Sequence, residues 1–226
     1  MKRISLLLTL ILGVITFTDT LSQGKISKNK KAIINSLEAH KDRLIEISDN
    51  IWEAAEPALL EFKSSKYLWD YAEENGFKVT KGVADIPTAF TAEYGSGRPI
   101  IGIMGEFDAN PGISQKKQPT KEPLVKGAAG HGCGHNLFGT ASLGAAIAIK
   151  EMIESGQISG TVRFYGTPAE ETIFAKVWMV RAGLFDDLDV CMDWHPGDEI
   201  EASTQSSKAL VDFRLRFYGD ASHASG

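Results

Sequence analysis

The chain has 226 residues, 43% of them hydrophobic, and a formal net charge of −5 at pH 7. That composition supports a packed core and excludes a disordered chain; the length fits one domain of ordinary size and part of a second. The charge is mild, and no Lys/Arg block is large enough for a nucleic-acid surface; the KNKK run at 28–31 reads as a solvated helix start.

The N-terminus reads as an export signal. Lys2 and Arg3 precede an apolar run from Ile4 to Phe17, and a polar TDTLSQG stretch follows. The run is short for a membrane span, which needs about 20 apolar residues. Residues 1–23 are therefore expected to be a signal peptide, and the protein to be periplasmic or secreted, without stable membrane insertion. Export means an oxidising compartment, where Cys133 and Cys191 have the chance to pair. Both are expected to stay free, Cys133 because it lies among other ligand-type residues and Cys191 because it sits in an apolar strand.

Apolar residues at helical spacing, from Ile33 to Trp52, predict a helix over 31–54, ended by Pro57. A second helix is expected from a Ser64–Ser65 cap to Gly76. Strands are expected near 77–79, 88–94 and 100–104. Residues 105–138 are rich in Gly and Pro, and a loop that long in a compact domain is usually functional. A small-residue helix over 140–154 follows, closed by Gly156, then strand 161–165, helix 173–182 and strand 188–194. Alternating strands and helices predict an α/β sandwich around a mixed sheet. Beyond a polar STQSSK linker, Val211, Phe213, Leu215 and Phe217 alternate with polar residues as a half-buried strand would.

The chemistry concentrates between residues 131 and 195. GHGCGHN, PAEE and DWHP supply His131, Cys133, His135, Glu170, Glu171 and His195 from three separate segments, in a chain with only five histidines and two cysteines. Soft and borderline Cys and His donors mixed with hard carboxylates suit zinc, manganese or cobalt. Adjacent carboxylates let one group bind metal while the other moves protons. All these segments fall at or just beyond predicted strand ends, where α/β folds place their sites. For His131, a loop-stabilising hydrogen bond is as good a reading as ligation, and His40 reads as a surface residue. Two other function classes stay open. One is a cysteine hydrolase with Cys133 as nucleophile and His135 or His131 as base; the other is an inactive fragment or binding remnant.

The ordered set GEFDANPG, GHGCGHNLFGTASLGAA, GTPAEE, DWHPG and SHASG resembles the metal-dependent amidohydrolase and carboxypeptidase superfamily. The resemblance implies a three-layer, zinc-peptidase-like α/β catalytic domain over 24–205. It also implies the start of an α+β lid and dimerisation domain over 206–226. It implies two divalent metals per site, zinc or manganese with cobalt as a further option, held by Cys133, His135, Glu171 and His195, with one more histidine ligand beyond residue 226. Glu170 would be the general base, and Asp108 would orient a ligand. His223 would reach a partner's active site and stabilise an oxyanion. Glu106 stands where many relatives carry a histidine ligand, and Asn136 where many carry Asp; neither is assigned to the metal. The implied substrate is a small-molecule amide, an acyl-amino acid of the aminobenzoyl-glutamate kind or a small peptide. The implied assembly is a homodimer, or a hetero-oligomer with a related subunit.

Overall fold

The computed structural model describes residues 26–202 and, beyond them, residues 209, 211, 213, 215, 216, 218 and 219. The expected signal peptide and His223 lie outside the described residues. Residues up to Pro196 form one compact unit and those from Gly197 a second. In the second, Val211, Phe213, Leu215 and Tyr218 are exposed and belong to no strand. Alternation marks the face a strand would bury; it does not supply the neighbour that completes it.

Helix α1 (Lys28–Ala54) starts at Ser27, whose side chain accepts from the Lys30 amide at 3.2 Å. It stops where Ala55 turns left-handed, two residues before Pro57. Helix α2 (Phe62–Glu74) starts earlier than the expected serine cap. Ser64 and Ser65 are buried within it, and Glu56 caps it from outside, accepting from the Lys63 and Ser64 amides at 3.0 and 2.8 Å. The anion at the helix start is favourably placed against the dipole.

Five strands follow among the described residues: β1 (Lys78–Lys81), β2 (Phe90–Ser96), β3 (Ile100–Gly105), β4 (Gly160–Gly166) and β5 (Val190–Met192). They form one mixed sheet in the order β1-β2-β4-β3-β5. β1–β2 and β2–β4 pair antiparallel, whereas β3 pairs parallel with both β4 and β5. The carboxyl ends of β3, β4 and β5 therefore lie along one edge. Successive side chains on β4 point to opposite faces. Val162 and Phe164 pack with α1, α2 and helix α3 (His135–Glu154), while Tyr165 packs with Ala175 and Met179 of helix α5 (Ala175–Arg181). The result is the expected three-layer α/β architecture.

Two departures from the sequence reading shape the site. Helix α3 begins at His135, not near residue 140, because Gly134 at φ 82° turns the chain directly into it. Gly139 is a packing position: a Cβ there would lie 2.6 Å from the Glu106 carbonyl oxygen, so α3 rests on the end of β3. The helix expected over 173–182 is broken in two. Helix α4 (Glu170–Ile173) is separated from α5 by Phe174 at φ 53°, whose amide turns back to the Ala169 carbonyl at 3.0 Å. Among the described residues, no helix is long and apolar enough to cross a membrane.

Candidate metal centre

The loop after β3 delivers Glu106 and Asp108, the turn into α3 delivers Cys133 and His135, the turn after β4 delivers Glu170 and Glu171, and the segment after β5 delivers His195. Asp108 is buried and holds two of these elements together. One carboxylate oxygen accepts from His135 Nδ1 at 3.0 Å and the other from the Glu171 amide at 2.9 Å. With its proton on Nδ1, His135 presents the Nε2 lone pair to the site, the arrangement of a histidine ligand steadied by a carboxylate behind it. His195 is oriented in the same way: Nδ1 donates to the Pro196 carbonyl at 2.8 Å, and Nε2 lies 3.2 Å from Cys133 Sγ.

The ligand atoms of Cys133, His135 and His195 lie within 4.8 Å of one another, and so do those of Glu106, His135 and Glu170. His135 belongs to both sets. His135 Nε2 is 2.8 Å from Glu106 Oε2 and 3.9 Å from Glu171 Oε1, yet these three buried atoms have no hydrogen-bond partner among the described residues. The first pair is close but out of hydrogen-bonding alignment. Buried polar atoms left unpaired are costly, and three that converge with a thiol and a second imidazole fit a divalent cation.

Burial and neighbouring charges shift three of these groups. Burial raises the pKa of Glu170, and the neighbouring Glu171 charge raises it further. Burial also pushes up the Cys133 thiol, so without a cation the sulfur stays protonated at neutral pH. Burial opposes charge on His135, but the hydrogen bond to Asp108 and the surrounding anionic groups outweigh it and move its pKa upward.

His131 stands outside both donor sets. Its Nε2 donates to the Ile51 carbonyl at 3.1 Å, tying the loop to α1, and burial lowers its pKa to about 4. Asn136 donates to the Ser48 hydroxyl at 3.0 Å and serves packing between α3 and α1. His40, expected as a surface residue, is half-buried and bonds Tyr71 and Glu151, 2.6 and 2.9 Å away. Cys133 and Cys191 are both free.

Three contributors escaped the sequence reading. Asn110 Oδ1 accepts from the Gly132 and Cys133 amides, both at 3.1 Å, and fixes the glycine-rich loop that carries Cys133. Lys176 forms an ion pair with Glu106, its pKa lowered to about 8 by burial. Glu61 is buried beside the turn that carries Glu170. A lysine on the helix just after PAEE was the available signal for Lys176; nothing local marks the other two.

A mixed sheet with helices on both faces, and a thiol, imidazole and carboxylate cluster across the ends of its parallel strands, defines an α/β core of the metallopeptidase type. The chain belongs to peptidase family M20/M25/M40, whose family model matches residues 102–215. It is 44% identical over 198 residues to one of the subunits of the p-aminobenzoyl-glutamate hydrolase of Escherichia coli (strain K12), covering 85% of this chain and 40% of that protein. It is 29% identical over 218 residues to the Xaa-Arg dipeptidase of Mus musculus, covering 91% of this chain and 47% of that one. The crystal structure of a Bacillus subtilis protein described as a dinuclear metal-binding peptidase of the M20 family superposes with a TM-score of 0.59 at 26% identity. That match covers 68% of this chain and 42% of the other. The chain thus spans less than half the length of these relatives.

Proposed function

We propose that the protein carrying this chain is a metal-dependent amidohydrolase that uses water to split an amide joined to an amino acid. The observation that carries this reading is the convergence of three unpartnered buried atoms, on Glu106, His135 and Glu171, with Cys133 and His195. The names of the relatives, an aminobenzoyl-glutamate hydrolase and a dipeptidase, support an acyl-amino acid of the aminobenzoyl-glutamate kind or a small peptide as substrate.

Cys133, His135, Glu171 and His195 would hold the metal, up to two ions of zinc or manganese, or cobalt, per site. Bound divalent ions would polarise the amide carbonyl and lower the pKa of water. Glu170 takes the proton of the attacking water and hands it to the leaving amine; burial and the Glu171 charge raise its pKa, which makes it a stronger base than an ordinary carboxylate. Asp108 keeps His135 in the tautomer that leaves Nε2 free, and seats the Glu171 backbone. In this proposal residues 24–205 belong to the catalytic domain and 206–226 open a lid and dimerisation domain. His223 supplies an oxyanion donor to a partner subunit, in a homodimer or a hetero-oligomer with a related subunit. The charged-then-apolar N-terminus supports export to the periplasm or beyond.

A second reading rests on the 3.2 Å contact between Cys133 Sγ and His195 Nε2, the spacing of a nucleophile and its base. It pairs the thiol with His195, not with His135 or His131, and leaves Glu170 and Glu171 without a role. Chelation separates the two. Metal analysis of the full-length protein is expected to find up to two divalent ions per chain, with less in Cys133→Ser and His195→Ala, and exhaustive chelation is expected to abolish activity. Full activity in the metal-free protein would overturn the metallohydrolase reading.

A further inference from the structure

Glu61 is fully buried and belongs to neither donor set. It precedes α2, and both its oxygens are engaged. Oε1 accepts from the Ala169 amide at 2.9 Å, and Oε2 accepts from the Thr88 hydroxyl at 3.1 Å. Ala169 is itself unusual: it is fully buried and left-handed, at φ 55° and ψ 34°. A residue with a Cβ adopts that conformation rarely and keeps it only where its surroundings impose it. Its carbonyl in turn accepts from the Ile173 and Phe174 amides at 3.2 and 3.0 Å, so α4 hangs from this one residue.

Glu170 follows directly. Its two chain neighbours are each tied to a buried acid, Ala169 to Glu61 and Glu171 to Asp108. Asp108 also holds His135. The hydrogen bonds of the Glu61 carboxylate go to this turn and to Thr88 and to none of the cluster's donor atoms, so the carboxylate serves the turn.

We infer that Glu61 is a positioning residue for Glu170: by accepting from the Ala169 amide it fixes the left-handed turn that aims the Glu170 carboxylate. This rests on the proposal that Glu170 is the general base. A base must reach the proton it removes, and displacement on the order of 1 Å lowers turnover by up to about 100-fold.

The test uses the full-length protein with two variants. Glu61→Met keeps length and apolar volume but removes both acceptors, whereas Glu61→Gln keeps an oxygen for Ala169. Glu61→Met is expected to lose hydrogen-exchange protection at the Ala169 amide and to lower kcat roughly 10- to 100-fold, with KM and metal content retained. Glu61→Gln is expected to restore protection and kcat together. Phe77→Leu, in the core between the sheet and the three N-terminal helices, is the control for general destabilisation: it should lower Tm and leave kcat alone. Lost protection with unchanged kcat in Glu61→Met would overturn the inference, as would equal loss of kcat in both Glu61 variants. If Glu61→Met does not fold, exchange in the unaltered protein decides: a slow Ala169 amide supports the anchor, and one as fast as an exposed loop overturns it. Unchanged turnover in Glu170→Gln would instead sink the base assignment. Exchange at Ala169 does not depend on that assignment, so the two failures are distinct.

Discussion

At the scale of single residues, the site separates groups that face the cluster from groups that hold them there. Glu170 is half-buried and adjoins a proposed ligand, so Glu170→Gln removes the base and keeps the shape. The expected outcome is retained metal with kcat lowered by roughly 10²–10⁴, read from metal analysis alongside steady-state kinetics. Glu61 gives a stability prediction of definite sign. Burial, and secondarily the charge on Asp108, raise its pKa from 4.5 to about 7. The folded state therefore binds a proton that the unfolded chain releases between those values. Stability from this group is fully present below pH 4.5 and lost as pH rises through about 7, by up to about 3 kcal/mol. Glu61→Gln should be at least as stable as the unaltered protein at pH 8, and the difference should shrink in acid. Urea melts at pH 5 and pH 8 measure it; a variant that gains nothing on going to pH 8 would contradict this account. The PAEE and HGCGH residues were legible in the sequence because each is reactive and clustered. Asn110 and Glu61 were not, because a side chain that binds a distant backbone amide carries no local mark.

At the scale of elements, the contact of α3 with β3 sets where His135 sits. Gly139 and Gly105 let the two backbones approach; a Cβ on Gly105 would lie 2.9 Å from Gly139 Cα. Gly139→Ala gains about 1 kcal/mol of helix propensity but sets a methyl 2.6 Å from a backbone carbonyl that has little room to move. Overpacking of this kind typically costs about 1–3 kcal/mol, so the variant should be less stable by urea denaturation. It should also bind metal more weakly, since His135, a proposed ligand, opens the displaced helix. A more stable variant would show that the interface yields easily. The small-residue helix itself was legible from its composition, but its first turn was not, since GHNLFG reads as loop until Gly134 is seen to turn the chain.

At the scale of the whole molecule, the proposed role of His223 in trans is decided by mixing subunits. Full-length His223→Ala and Glu170→Gln proteins are each expected to be nearly inactive. Mixed under conditions of proven subunit exchange, they should regain activity at one site per heterodimer, because loss of an oxyanion donor costs ~10²–10³ in kcat and is cured by an intact partner. No recovery would place His223 in its own subunit's site or outside catalysis. The sequence by itself determined where most helices and strands form, though not the break at Phe174 or the absence of a strand at Val211, and which donor-type residues follow the strand ends. Helical and strand periods are local, and the reactive side chains follow strands 161–165 and 188–194 in plain sequence order. Only the tertiary structure decided that β4 inserts between β2 and β3, with β5 on the far side of β3. Strand pairing joins residues as far apart as Ile101 and Val190, and no local pattern specifies it. That pairing aligns three strand ends along one edge, leaves His131 bonded to α1 and brings Cys133, His135 and His195 together. Burial and hydrogen bonding are properties of neighbours, and the neighbours here come from across the chain.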